Sequence, residues 1–361
     1  MNMKTMTITL HDTDNCGSSL QAFALQTFLL DNNVDNQIIN YVPNYTKNNG
    51  NVIKYFIKNI VYFKYIRNRN KKFQNFKNTY LKITKEKYKN ITELNEASLN
   101  CDCLITGSDQ LWNSSYQCGN DPAFYLNFDT LSKKIAYAVS VGKSNIEKSN
   151  LEIIQKNVKN FDWISVREGT TVSQLKSLFL DTKIDYVCDP VLLNDSKSYD
   201  LIKNKRIIVE DYVLVYMAQI PNTEKMNEII KKVKETFDIK VVLIGSYRNR
   251  CDSDIHMRDV DPGDFLSLIY YASYIISNSF HATMFSLMYE KEFLSILPDK
   301  NGARIKEILD KVGLASNYMN IDDDIEIPRI ENYDLVNIEL NKFRDFSRNK
   351  LLENILGTKH E

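Results

Sequence analysis

Twice along the chain, short apolar runs rich in β-branched and aromatic residues alternate with stretches of helical spacing, and this alternation constrains the fold more than any other feature. Residues 5–10, 37–41, 101–106, 134–141 and 163–166 have the length and residue types of buried strands, as do 212–219, 240–245, 270–276 and 293–297 in the second half. Helical stretches fall between them at 20–29, 147–160, 170–179, 222–237 and 305–312, and a longer one at 333–356 closes the chain. Strands that follow one another through helices must pair in parallel, so each half predicts a Rossmann-like α/β sheet. The polar run 194–206 is the expected linker. The expected domains are 1–195, with a helical insertion at 48–90, then 205–330, with a closing helix over 331–361. A chain of 361 residues suits two domains of ordinary size.

No apolar run reaches the roughly 18–20 residues that span a bilayer, and His11 and Asp12 interrupt the N-terminus too early for a signal-peptide core, so a cytoplasmic address is expected. Six cysteines without a C-x-x-C pair and four histidines without an HExxH point to buried thiols and to no metal site.

The formal net charge is zero, yet residues 47–89 carry thirteen Lys or Arg and one acid, Glu86, leaving the rest of the chain at −12. Within this stretch Val52, Ile53, Phe56, Ile57, Ile60, Val61, Phe63 and Ile66 recur at helical spacing, with Lys54, Lys58, Lys64, Arg67 and Arg69 between them. Such a helix either packs on its own domain with a solvated lysine face or meets an anionic membrane surface or lipid-linked acceptor. Nucleic acid is disfavoured, because the aromatics sit at helix-core spacing rather than on a stacking platform.

Four strand ends concentrate the polar chemistry. Ser277-Asn278-Ser279-Phe280-His281 follows a buried strand and opens a helix with Ser279 as a plausible cap. A helix N-terminus with hydroxyls and an imidazole suits an anion such as phosphate, although an ordinary βα turn with a surface histidine fits as well. Asp12-Thr13-Asp14-Asn15-Cys16-Gly17-Ser18-Ser19 forms a second strand-to-helix turn, without the glycine pattern of a dinucleotide or P-loop site. Gly107-Ser108-Asp109-Gln110-Leu111-Trp112-Asn113 combines a glycine suited to an unusual backbone angle with hydrogen-bonding groups and an aromatic plate. A sugar fits that set, but Trp112 as core and Asp109 as a cap remain open. Arg167-Glu168 ends another strand, where the arginine either reaches a cleft or pairs with an acid.

In order along the chain, these motifs resemble the polysaccharide pyruvyl transferase family. The resemblance rests on Asp14-Asn15-Cys16-Gly17 with Leu20-Gln21-Ala22-Phe23-Ala24-Leu25-Gln26, then on the stretch from Gly107 to Asn113 and on Ser165-Val166-Arg167-Glu168. It continues through Asp189-Pro190, Asn278-Ser279-Phe280-His281-Ala282 and Arg304-Ile305. Cys16 stands where an aromatic is more usual, Leu111 where valine is common, and Val191 where threonine often follows Asp-Pro.

The resemblance implies a GT-B-like fold, two Rossmann-like domains facing a cleft with a C-terminal helix returning across it. It also implies transfer of the carboxyvinyl unit of phosphoenolpyruvate onto two hydroxyls of one sugar, giving a pyruvate ketal in a bacterial surface polysaccharide or its lipid-linked repeat unit. No cofactor beyond that co-substrate is expected. Arg167, Ser279, His281 and Arg304 are the expected phosphoenolpyruvate ligands, with His281 as general acid or phosphate ligand. Asp109 is the expected base, with Asp14 as its substitute. Asp14, Asn15, Gln21, Asp109, Gln110, Trp112 and Asn113 are expected to hold the acceptor. A GT-B glycosyltransferase using a nucleotide sugar is the main alternative, and a non-catalytic binding protein on the same fold is a further one.

Overall fold

The computed structural model describes residues 3–46, 60–220, 222–246, 248–299 and 301–357. The chain forms two compact units: Met1–Phe63, Gln74–Asn194 and Lys342–Glu361 in the first, and Lys64–Phe73 and Asp195–Asn341 in the second.

The first unit is built on seven strands: β1 (Lys4–Ile8), β2 (Asp35–Tyr41), β3 (Ile83–Tyr88), β4 (Cys103–Thr106), β5 (Lys133–Val139), β6 (Trp163–Val166) and β7 (Lys183–Tyr186). All pair in parallel, in the order β3-β2-β1-β4-β5-β6-β7. Helices α1 (Cys16–Asp31), α2 (Ile60–Tyr80), α3 (Lys148–Asn157) and α4 (Val172–Leu178) lie between them in sequence. From Cys16 to Leu29 every residue of α1 except Thr27 is buried, as befits a helix covered on all sides.

In the second unit the strands are β8 (Tyr212–Tyr216), β9 (Lys240–Ile244), β10 (Ile255–Met257), β11 (Tyr274–Ser277), β12 (Phe293–Ile296) and β13 (Tyr318–Met319). They too are parallel, ordered β10-β9-β8-β11-β12-β13. Its helices include α5 (Thr223–Phe237), α6 (Pro262–Tyr271), α7 (Phe280–Met288) and α8 (Ala303–Lys311). A capping box between Asp261 and Asp264, with Pro262 in the first turn, fixes the start of α6.

Both sheets progress outward from their first strand in one direction and then in the other. The order therefore reverses between β1 and β4 in one unit, and between β8 and β11 in the other. Open parallel sheets bind ligands beyond the carboxyl ends of the strands at such a reversal.

The last helix, α9 (Asp334–Leu356), is shared by the two units. In the first unit, Arg344 donates to the carbonyls of Leu192 and Asn194 at 2.7 and 2.6 Å, and Arg348 donates to that of Leu193 at 2.7 Å. No helix of the described residues is long and apolar enough to cross a membrane.

Several expectations need correction. The 48–90 stretch is not one helical insertion: α2 ends at Tyr80 and β3 follows as a sheet edge, with residues 64–73 grouped in the second unit. Lys85, Glu86 and Lys87 are exposed on β3, so its sequence carries no apolar signal. The expected helical positions Val52 to Ile57 lie outside the described residues. Helix α1 begins at Cys16 rather than Leu20, because Asn15 caps it by accepting from the Ser18 N–H at 3.1 Å.

Candidate functional site

At the reversal point of the first sheet, β1 and β4 leave their ladders side by side. Gly107 provides room rather than an unusual backbone angle: a Cβ there would lie 3.1 Å from Cβ of Thr9. The unusual angle belongs to Asp109, whose φ of 88° is left-handed and costly for a residue with a side chain. Hydrogen bonds hold this conformation, among them one from Leu111 N–H to the Asp109 carbonyl at 2.8 Å. Ser140 N–H donates to the Asp109 carbonyl at 3.0 Å, Gln110 N–H donates to Oδ1 at 2.8 Å, and the Ser18 hydroxyl donates to Oδ2 at 2.5 Å. The first turn of α1 thus grips the carboxylate that follows β4.

Arg167, just past the end of β6, is buried beside acids. It donates to Asp189 Oδ2, and its other terminal nitrogen lies 3.8 Å from Asp109 Oδ1. Burial opposes its charge, but Asp189, Asp109 and Glu168 together outweigh that and raise its affinity for the proton. Glu168 is fully buried and accepts from the Ser140 hydroxyl and from Gly142 N–H. Arg167 thus takes the acid-paired one of its two expected arrangements, held against Asp189 and beside Asp109 inside the first unit.

The acceptor set is also only partly as expected. Trp112 offers no face to a sugar. It is 0% exposed, stacks on Tyr125 with 5.3 Å between ring centres, and gives its indole N–H to the Phe124 carbonyl at 3.2 Å. Gln21 is equally buried and donates to the Thr9 hydroxyl at 2.9 Å. Asn113 is buried as well; it donates to Gln110 Oε1 at 2.8 Å and accepts from Ser115 N–H, shaping its own loop. Asn15 is a helix cap. Asp14 is exposed, while Asp109 and Gln110 are half-buried at the reversal point. Ser18, Ser140, Glu168 and Asp189 complete the cluster; the strand-to-helix turn and the Arg-Glu and Asp-Pro motifs contained Ser18, Glu168 and Asp189, and no motif contained Ser140.

In the second unit the reversal point lies at the ends of β8 and β11. Asn278 ties the two together, accepting from Gln219 N–H at 3.2 Å and donating to its carbonyl at 2.7 Å. Ser279 then caps α7, its side chain accepting from Ala282 N–H at 3.4 Å. Thr283 secures this turn, its hydroxyl donating to the Ser279 carbonyl at 3.1 Å. Of residues 280–287, His281 alone is not buried. The remainder of the helix packs inward, so the imidazole stands at the positive end of the helix with its ring 5.5 Å from that of Phe280. Arg304, in the first turn of α8, places its guanidinium 5.0 Å above the other neighbour of that ring set, the face of Phe280. Ser279, His281 and Arg304 are thus brought together around one phenylalanine in one unit.

A family model of polysaccharide pyruvyl transferases matches residues 15–300. The chain belongs to the polysaccharide pyruvyl transferase family. A pyruvyl transferase of this family is a transferase of polysaccharide biosynthesis, which implies a glycan acceptor. No curated protein matches the chain in sequence.

Among solved structures, the UDP-GlcNAc 2-epimerase of Methanocaldococcus jannaschii in complex with UDP-GlcNAc and UDP is similar over 99% of this chain and 100% of its own, with 14% identity and a TM-score of 0.55. The UDP-GlcNAc 2-epimerase of Neisseria meningitidis covers 99% and 100% at 10% identity, with a TM-score of 0.54. UGT89C1 of Arabidopsis thaliana covers 98% and 100% at 11% identity, with a TM-score of 0.52. At such identities the likeness shows the fold alone, and that fold is the GT-B type expected for this pyruvyl transferase.

Proposed function

We propose that this pyruvyl transferase moves the carboxyvinyl group of phosphoenolpyruvate onto two hydroxyls of one sugar, releasing phosphate and forming a pyruvate ketal. The observation that supports this most is the start of α7, where an imidazole, a capped helix N-terminus and a guanidinium converge. A small polyanion with a transferable carbon needs those groups: the helix end and Arg304 hold charge, and His281 holds phosphate or delivers the proton to the methylene carbon. Asp109, 3.8 Å from the Arg167 guanidinium, takes the proton of the attacking hydroxyl. Asp14 and Gln110 contribute to holding the acceptor, and no further cofactor enters.

The acceptor is a unit of a bacterial surface polysaccharide, carried on lipid at the cytoplasmic face of the membrane. The basic stretch supports that placement, because Lys64, Arg67 and Lys71 are exposed on α2 together with Tyr65 and Ile66.

The deciding measurements are phosphate release and thermal stabilisation. Phosphoenolpyruvate should stabilise the protein where uridine and guanosine nucleotides do not. His281→Ala should lower acceptor-dependent phosphate release by about 10²–10⁴. Stabilisation by a uridine nucleotide alone would instead indicate a nucleotide-sugar glycosyltransferase, and activity of His281→Ala within about threefold of wild type would remove the acid role.

A further inference from the structure

The two oxygens of the Asp109 carboxylate meet groups of different chemistry. Oδ1 faces nitrogen donors, the Gln110 N–H at 2.8 Å and the Arg167 guanidinium at 3.8 Å. Neither of these groups can accept a hydrogen bond. Oδ2 receives the Ser18 hydroxyl at 2.5 Å. A hydroxyl carries one hydrogen and two lone pairs, so it donates to a carboxylate and can equally accept from the acid formed when that carboxylate gains a proton.

Ser18 is itself fixed through its backbone. Its N–H donates to Asn15 Oδ1 at 3.1 Å, and its carbonyl accepts from Gln21 Nε2 at 3.0 Å. Asn15 and Gln21, both expected as acceptor ligands, thus hold the residue that holds Asp109. Ser18 is 5% exposed, whereas the Asp109 side chain retains 13% exposure. The carboxylate is therefore open to a sugar hydroxyl, and Ser18 acts on it from the protein side without touching the sugar.

Resting on the transfer reaction above, we infer that Ser18 is a positioning residue that serves Asp109 in both of its protonation states. Before transfer, the hydroxyl donates to Oδ2 and aims the carboxylate. As the methylene carbon gains its proton, the sugar oxygen bonds to the adjacent carbon with the electron pair of its own O–H bond, and the released proton passes to Oδ2. The new acid O–H then donates to Ser18 Oγ. A proton placed on Oδ1 would instead meet the Gln110 N–H and the guanidinium, which offer it no lone pair.

Steady-state phosphate release from phosphoenolpyruvate, with methyl glycosides of glucose, galactose and mannose as acceptors, tests the role in Ser18→Ala and Ser18→Thr. Alanine should lower kcat by about 10- to 100-fold, the range of a hydrogen bond to a charged group. KM for phosphoenolpyruvate should stay within about twofold, because its proposed ligands Ser279, His281 and Arg304 belong to the second unit. Threonine keeps a hydroxyl and should recover kcat to within about threefold of wild type. If the alanine variant fails to fold, Ser18→Cys replaces it, since a thiol is a weak donor and a weak acceptor and predicts the same loss.

A kcat of Ser18→Ala within about threefold of wild type overturns the inference, as does an equal loss in the alanine and threonine variants. A crystal structure of Ser18→Ala gives a readout that does not depend on turnover: a carboxylate turned away from α1 supports the positioning role, and one left in place refutes it. A wild type that releases no phosphate with these glycosides counts against the transfer reaction, and the crystal structure then decides the positioning role by itself. Turnover by wild type together with an unaffected Ser18→Ala counts against Ser18 alone.

Discussion

Replacing Arg167 by alanine tests whether the acidic cluster depends on its one cation. The guanidinium and the Asp189 carboxylate are 1% and 0% exposed, so neither can be rehydrated in place. Removing one member of such a pair costs about 3–5 kcal/mol, because a charge is left buried without compensation. Asp189 would keep the Ser108 hydroxyl at 3.3 Å and Val191 N–H at 3.0 Å, which favours the lower half of that range. The measurement is urea unfolding followed by tryptophan emission. Both tryptophans, Trp112 and Trp163, are buried in the first unit, so the signal follows that unit alone.

Two controls separate charge from packing. Adding Asp189→Asn should recover most of the loss. The single variant should also recover as pH falls from 7 toward 5. Carboxylates left without their cation have raised folded-state pKa values, and stability from such groups is present at low pH and lost as pH rises through the folded value. A loss under about 1 kcal/mol, or one that neither the second substitution nor acid relieves, would refute the electrostatic account.

Trp112→Phe should lower the stability of the first unit by about 1–3 kcal/mol while leaving the acceptor KM unchanged; a raised KM with unchanged stability would restore the sugar-plate role. Burial alone would raise the pKa of Asp12, but Lys77, at 2.5 Å, and Gln74 outweigh it and hold the carboxyl below its ordinary value. That contribution to stability is present above the ordinary carboxylate pKa and vanishes as pH falls through the lowered value. The deficit of Lys77→Met in urea unfolding should therefore be present at pH 7 and disappear under acid, and a deficit independent of pH would contradict the pairing. Flotation with anionic vesicles should show weak binding that is lost at high salt and reduced by replacing Lys64, Arg67 and Lys71 with glutamine; salt-independent or absent binding would argue against a membrane role for α2.

The alternation of strand and helix was legible because interior strands such as β1, β4 and β11 are buried on both faces: β4 and β11 carry short apolar runs, and β1 alternates threonine with methionine and isoleucine. Edge strands were not. β3 and β10 pair on one side only, and Lys85, Lys87 and His256 cost them little there. The motif at α7 was legible because capping chemistry is local: Ser279 is three residues from the amide it caps, and His281 is four residues past the end of β11. The choices left open for Trp112 and Arg167 could not be made in sequence, because their partners are distant along the chain or chemically ambiguous. Only the folded chain shows that Tyr125 covers the indole and that Asp189 claims the guanidinium. The left-handed backbone at Asp109 leaves no trace in sequence, since glycine two residues earlier draws the eye first.

That backbone angle bears on how the protein can be improved or can drift. Glycine or asparagine would occupy position 109 with less conformational cost, so selection for heat resistance alone should favour them there. Each would discard the carboxylate that Ser18 and Arg167 hold in place. Position 109 is thus a site where robustness and the proposed chemistry pull in opposite directions, and a thermostable variant bred without an activity screen would be expected to lose this carboxylate first.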